Sequence, residues 1–273
     1  MLIDAHAHYE RPEELEARRG VRTVFCGTNP ETAAQCLALE GDNLLFSFGL
    51  HPWYADRCAP KDMLPFIRRG AALGEIGLDS VWTDVDLDRQ RAAFREQLDL
   101  AQALGLPVIL HTKGMEAEIA RTLADYPLRK LVHWYSCMDH LSLYLEQDCF
   151  FTVGPDHASN PAVRQVLERA PLDRLLTETD GLEAIAWALG HPASPADIPA
   201  VLRGELAAIA AAHGICEAEA ELRTEENLNA FLYGQARFFP PPALSEIRSC
   251  DTIIPTLPIP TTITTGGNSL ERH

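Results

Sequence analysis

Residues 3–8 read Ile3-Asp4-Ala5-His6-Ala7-His8, an apolar run that ends in two histidines two residues apart. On a strand, residues i and i+2 share a face, so both imidazoles point the same way. Neutral imidazole is a common ligand for divalent metals, and two of them at a strand end supply one edge of a catalytic metal site. Four later segments repeat the form, each an apolar run with a metal-type ligand at or just past its end: Glu75, His111, His133 and Asp180. Any one of these has a bland alternative, such as a paired interior carboxylate or a hydrogen-bonded core histidine. All of them at the same end of successive strands are hard to explain as packing, because unpaired buried carboxylates are costly and a metal is a natural partner for them.

Working outward, short apolar segments recur along the chain, at residues 2–6, 22–27, 44–51, 71–78, 108–111, 130–134, 150–153 and 174–178. They are near-continuously apolar, as expected of parallel strands buried on both faces. Helical patterns separate most of them. In residues 88–104, Phe94, Leu98 and Ala101 fall at helical spacing, and Gly105 stops the helix before Pro107. Residues 141–145, 162–170 and 198–213 fit the same description. Eightfold strand–helix alternation predicts an α/β fold of the (β/α)8 TIM-type barrel class, whose active sites lie at the C-terminal ends of the strands. A doubly wound open sheet is the runner-up, weakened by the lack of a Gly-x-Gly-x-x-Gly after the first strand. Thr224-Glu225-Glu226-Asn227 reads as a helix start with a capping threonine, Phe231 and Leu232 packing inward and Gly234 ending it. The domain is expected to span residues 1–243. Residues 244–273, rich in Thr, Pro and Ile without amphipathic period, read as a tail outside it that ends in Asn268-Ser269-Leu270-Glu271-Arg272-His273.

Of 273 residues, 23 are Lys or Arg and 39 are Asp or Glu, a net charge of −16. That disfavours tight non-specific binding to nucleic acid, whose affinity comes from neutralised phosphates, but not action on a strand end held in a local pocket. No apolar run reaches the ~20 residues needed to span a bilayer, and no basic flank precedes an apolar stretch at the start, so neither a membrane partner nor a secretory signal is expected. Seven cysteines without a Cys-x-x-Cys pair argue for thiols in a reducing, cytoplasmic setting. Oligomeric state is not legible.

Several motifs carry a more specific likeness: Asp4-Ala5-His6-Ala7-His8, Gly49-Leu50-His51-Pro52, Gly74-Glu75-Ile76-Gly77-Leu78-Asp79, Leu106–Lys113 ending in His111-Thr112-Lys113, the His133 segment, Glu178-Thr179-Asp180, and Glu226-Asn227 with Phe231. Over nearly all of residues 1–240 the chain resembles the TatD family of metal-dependent hydrolases, in the amidohydrolase superfamily. The resemblance implies two divalent ions (Zn, Mn or Mg) that activate a water, one on His6, His8 and Asp180, the other on His111 and His133, with Glu75 bridging. It implies Asp180 as proton acceptor, and Lys113, with His51, as substrate contacts. Trp53, Trp134 and Tyr135 are candidates for the pocket mouth. The chain departs from the family pattern at Trp134-Tyr135-Ser136-Cys137, Gly181-Leu182-Glu183 and Trp53, all near the pocket and none at a ligand. The expected activity is phosphodiesterase or deoxyribonuclease cleavage of a nucleic-acid end or a small phosphodiester. The alternative is hydrolysis of a C–N or ester bond in a small molecule, since fold and metals do not fix the substrate. A structural metal in a non-catalytic protein fits poorly with six ligands and no cysteine among them.

Overall fold

Eight parallel strands follow one another around a barrel in chain order, in a computed structural model that describes residues 1–234. The boundary expected at residue 243, and the tail beyond it, lie outside the described residues. The elements are β1 (Leu2–Ala7), α1 (Glu13–Ala17), β2 (Val21–Gly27), α2 (Pro30–Leu37), β3 (Leu44–Phe48), α3 (Leu64–Ile67), β4 (Ala72–Asp79), α4 (Leu87–Leu104) and β5 (Val108–Lys113). Then come α5 (Glu116–Leu123), β6 (Lys130–Val132), α6 (Leu141–Leu145), β7 (Phe150–Val153), α7 (Pro161–Arg169), β8 (Leu175–Thr177), α8 (Leu182–Leu189), α9 (Ile198–His213) and α10 (Glu217–Tyr233). The expected (β/α)8 barrel is the observed architecture. Several strands are shorter than their apolar runs, so His51, His133 and Glu178 stand just beyond β3, β6 and β8 rather than inside them.

The barrel interior is filled by Ile3, Val24, Ile109, Leu131 and Leu176, and α10 packs Leu228, Phe231 and Leu232 against them. Phe231 and Leu232 therefore pack inward as expected, and Asn227 donates to the carbonyls of Leu172 and Leu175 at 2.8 Å each. The expected helix start at Thr224 is wrong. The helix begins at Glu217, and Thr224 sits buried within it, its hydroxyl bonded back to the Glu221 carbonyl at 3.0 Å. A hydroxyl that satisfies itself on the preceding turn does not need to cap.

Helix α4 places the site's loops. Asp86 caps its start by accepting from the Asp88 and Arg89 amides, and Gly105 ends it in a left-handed conformation. Its buried face carries Gln97 and Gln90 beside Phe94, Leu98 and Ala101. The Gln97 amide exchanges hydrogen bonds with the Leu50 backbone at 2.7 and 3.1 Å, and that of Gln90 with the Asp79 backbone at 2.8 and 2.9 Å. These pairs fix the chain beyond β3 and at the end of β4.

The β1 and β4 ladders each slip register, between Asp4 and Ala7 and between Leu73 and Ile76. The slips span His6 and Glu75, and such irregularities re-aim side chains beside active sites. Gly77 is required here: a Cβ would lie 1.9 Å from the His111 carbonyl oxygen of β5.

Among the described residues no ladder joins β8 to β1; side-chain hydrogen bonds and one backbone pair close that seam. The Thr177 hydroxyl donates to the Ile3 carbonyl at 2.5 Å. The Thr179 amide and hydroxyl donate to the Asp4 carboxylate at 2.8 and 2.7 Å, and the Asp180 amide to the His6 carbonyl at 3.0 Å. Asp4 is wholly buried, and its charge is balanced by buried Arg18, which also reaches Glu14, Thr23 and Thr179. Removing one partner of a buried ion pair strands the other charge. Arg18→Met is therefore expected to cost about 3–5 kcal/mol in denaturant unfolding; a loss below about 1 kcal/mol, the scale of a surface pair, would contradict this account.

Candidate metal centre

Glu75 projects from β4 into a ring of imidazoles and is 2 % exposed. Its Oε2 lies 3.4 Å from His6 Nε2 and 3.3 Å from His8 Nε2. Its Oε1 lies 2.7 Å from His133 Nε2, 2.8 Å from His111 Nδ1 and 3.4 Å from His51 Nε2. Asp180 completes the first side, with Oδ1 at 3.1 Å from His6 Nε2 and 3.3 Å from His8 Nε2. The six expected ligands thus converge, divided by the two carboxylate oxygens into two groups. Two buried atoms, His6 Nε2 and Asp180 Oδ1, face each other without making a hydrogen bond. Orphaned lone pairs of this kind on imidazole and carboxylate suit a divalent cation.

A further layer orients these side chains. His111 Nε2 lies 3.0 Å from Asp79 Oδ2, while His133 Nδ1, 3.7 Å from Glu178, makes no hydrogen bond. His6 Nδ1 lies 3.0 Å from Cys26 Sγ, itself 2.7 Å from the Ser47 hydroxyl. His8 Nδ1 lies 3.2 Å from the Cys26 carbonyl. The second nitrogen of a metal-site histidine fixes the ring and its tautomer.

The electrostatics follow from enclosing carboxylates with imidazoles. Burial opposes ionising Glu75, yet the surrounding histidines hold its carboxyl well below the usual range. Burial likewise opposes protonating His133, yet the Glu75 charge raises it to about 10. His6, His8 and His111 also shift upward against their burial, and Asp180 is pulled down by His6 and His8. His51 goes the other way: burial dominates and lowers it to about 4. Its Nδ1 accepts from the Trp53 amide at 3.3 Å, so the neutral ring carries its proton on Nε2, facing Glu75.

The chain matches the family described as TatD related DNase over residues 3–233. It is 31 % identical over 203 residues to the uncharacterized metal-dependent hydrolase YjjV of Escherichia coli, covering 66 % of this chain and 78 % of that one. It is also 31 % identical over 172 residues to the 3'-5' ssDNA/RNA exonuclease TatD of Edwardsiella piscicida, covering 58 % of this chain and 66 % of that protein. The crystal structure of YjjV, a TatD homologue, superimposes with a TM-score of 0.72 at 26 % identity, over 85 % of this chain and 97 % of that one.

This chain belongs to the TatD family. It is a metal-dependent hydrolase by descent, and each ligand position of the TatD likeness falls in the cluster around Glu75. Lys113, at the end of β5, lies on the wall of the adjoining cavity and donates to the Ser136 hydroxyl at 2.9 Å. His51 meets Glu75 at 3.4 Å but is not among the residues lining that cavity. Tyr135 is not at the mouth: it is wholly buried, donates to the Asp139 carbonyl and packs on Tyr144 at 5.4 Å. Sequence reasoning quoted Asp79 and Glu178 without giving them a task. For Asp79 the signal was present, since residues 75, 77 and 79 share one face of a strand.

At neutral pH the metal-free cluster holds protons where cations would sit. The raised His133 contributes stability to the metal-free protein that is fully present below about pH 6.5 and is lost as pH rises through about 10. Metal uptake at pH 7 is accordingly expected to release protons. Calorimetric titration of Zn²⁺ or Mn²⁺ into chelator-treated protein, in buffers of differing ionisation enthalpy, checks this; a buffer-independent enthalpy contradicts it.

Proposed function

We propose that this TatD-family chain hydrolyses phosphodiester bonds at nucleic-acid strand ends, using two divalent ions. One is held by His6, His8 and Asp180, the other by His111 and His133, and Glu75 is shared between them. The observation that carries this is the division of Glu75: one oxygen faces His6 and His8, the other faces His111 and His133. The nuclease name of the Edwardsiella relative supports the substrate class.

When bound, the ions supply acidification of a water and neutralisation of charge on the phosphoryl oxygens. The protein's own groups do the rest. Asp180, pulled into the carboxylate form by His6 and His8, accepts the proton of the attacking water and returns one to the leaving oxygen. Lys113 holds a phosphate oxygen as a point charge. Asp79 keeps the His111 ring turned toward Glu75. A reducing, cytoplasmic setting fits the six unpaired cysteines among the described residues. None of the described helices alone is long and apolar enough to cross a membrane. The second reading, hydrolysis of a small-molecule C–N or ester bond, draws on the −16 net charge, which repels long polyanions.

A hydrolysis panel of single-stranded DNA with either end blocked, bis(p-nitrophenyl) phosphate, and simple amides and lactones, with Mg²⁺, Mn²⁺ or Zn²⁺ supplied, decides between them. Amide or ester turnover without phosphodiester cleavage overturns the first reading. Glu75→Ala is expected to lose metal from both positions; full occupancy by elemental analysis would end the bridging assignment. Asp180→Asn keeps an oxygen donor but no carboxylate base, so it should retain metal and lose turnover by roughly 10²-fold or more. Near-normal turnover would reduce Asp180 to a ligand. Lys113→Ala should raise KM for a phosphodiester while sparing metal content.

A further inference from the structure

A cavity of about 430 Å³ opens beside the cluster, with His111, His133 and Asp180 on its inner wall. All four tryptophans of the chain, Trp53, Trp82, Trp134 and Trp187, line it. Two are anchored. Trp53 Nε1 donates to Asp79 Oδ2 at 2.7 Å, and Trp134 Nε1 donates to Asp156 Oδ1 at 2.7 Å. Two are open, Trp82 at 58 % and Trp187 at 65 % exposure. They form pairs: Trp187 meets Trp134 edge-on with ring centroids 5.7 Å apart, while the Trp82 amide and the Trp53 indole bind the same Asp79 carboxylate.

The pocket goes to some length to seat Trp134. Its backbone has φ +34°, a region bulky residues rarely adopt. Gly154 leaves the space for its ring: a Cβ there would lie 2.7 Å from the indole. Asn160 holds the other oxygen of Asp156 at 2.8 Å. Strain retained at a pocket points to a ligand-facing task. Cations, by contrast, are scarce. Among the described residues Lys113 is the one lysine or arginine on this wall, and it too lies near an indole, 5.7 Å from the centre of the Trp82 ring.

We propose that these tryptophans form two stacking platforms for unpaired nucleobases next to the scissile phosphate, so that bases rather than phosphates carry most of the affinity. The proposal rests on the phosphodiesterase reading above and assigns its specificity to Trp82 with Trp53 and to Trp187 with Trp134. Base stacking on aromatic side chains tolerates any base and does not need the counterion release that an acidic protein is poorly built to exploit.

Because every tryptophan lies on this wall, intrinsic indole emission reports the pocket alone. Adenosine monophosphate is titrated into chelator-treated and metal-loaded protein, with ribose 5-phosphate and inorganic phosphate as base-less probes. The nucleotide is expected to change the emission and to bind more tightly than either probe. By calorimetry, Trp82→Ala and Trp187→Ala should each weaken nucleotide binding about tenfold, while the Phe variants keep most of it. Both side chains are exposed, so neither substitution threatens the fold. Ribose 5-phosphate binding as tightly as the nucleotide, or both Ala variants binding as wild type, overturns the platforms. A cleavage assay separates the two layers. Equal cutting of intact and abasic dinucleotides leaves the phosphodiesterase standing and removes the platforms. Base-dependent binding without cleavage of any phosphodiester does the reverse.

Discussion

A carboxylate buried at the centre of a barrel is tolerated only if opposite charge surrounds it. Glu75 is that carboxylate, and much of the molecule is arranged to meet its demand. Imidazoles reach it from β1 and the chain beyond it, from β5, and from the turns after β3 and β6. Each comes from a different place along the sequence, so the charge can be satisfied only when the strands stand in one order and register. The register slips in β1 and β4 are the local distortions that let His6 and Glu75 aim at one another. Gly77 lets β5 approach β4 closely enough for His111 to join them. The same convergence gives the site two states of compensation, protons or cations, and thereby ties metal affinity to pH.

The seam between β8 and β1 is the second constraint. A barrel closed by a ladder would leave the last strand no freedom. Here closure rests on the Asp4 carboxylate, which holds Thr179 and is itself balanced by Arg18. Asp180 follows Thr179 directly, at φ +57°, a left-handed conformation that aspartate adopts more readily than most residues. Its amide is pinned to the His6 carbonyl while its side chain faces His6 and His8. The cluster of His6, His8 and Asp180 is therefore built across the one joint of the sheet that lacks a ladder among the described residues. Stability at the seam and geometry at the site are set by the same hydrogen bonds.

The barrel was legible because its evidence is periodic: apolar runs of strand length alternating with helical spacing, read without knowledge of any contact. The convergence of the candidate ligands was legible because strand ends converge in this fold, so position along a strand predicts position in space. Thr224 misled because a local capping signature is also what an ordinary buried helical threonine looks like when its partners are hidden. Tyr135 misled because an aromatic beside a ligand gives no sign of which way the chain turns. The role of His51 depends on whether burial or a neighbouring carboxylate dominates its charge, a comparison that needs distances. Trp82 and Trp187 stand in a loop and on α8 with no motif around them, and only the fold brings them to one cavity.

Asp79 joins these levels. One oxygen receives the Val81 and Trp82 amides at 2.7 and 2.8 Å; the other receives the Trp53 indole and lies against His111. Burial opposes its ionisation, but His111 and these donors together hold it well below the usual range. A single carboxylate thus fixes the His111 ring next to Glu75, the Trp53 indole at the cavity wall and the backbone that carries Trp82. An acidic protein gains little from long-range attraction to a polyanion, and what it offers such a ligand must act at contact. Aromatic rings next to the reactive centre meet that requirement, because their attraction for a base is short-ranged and owes little to net charge.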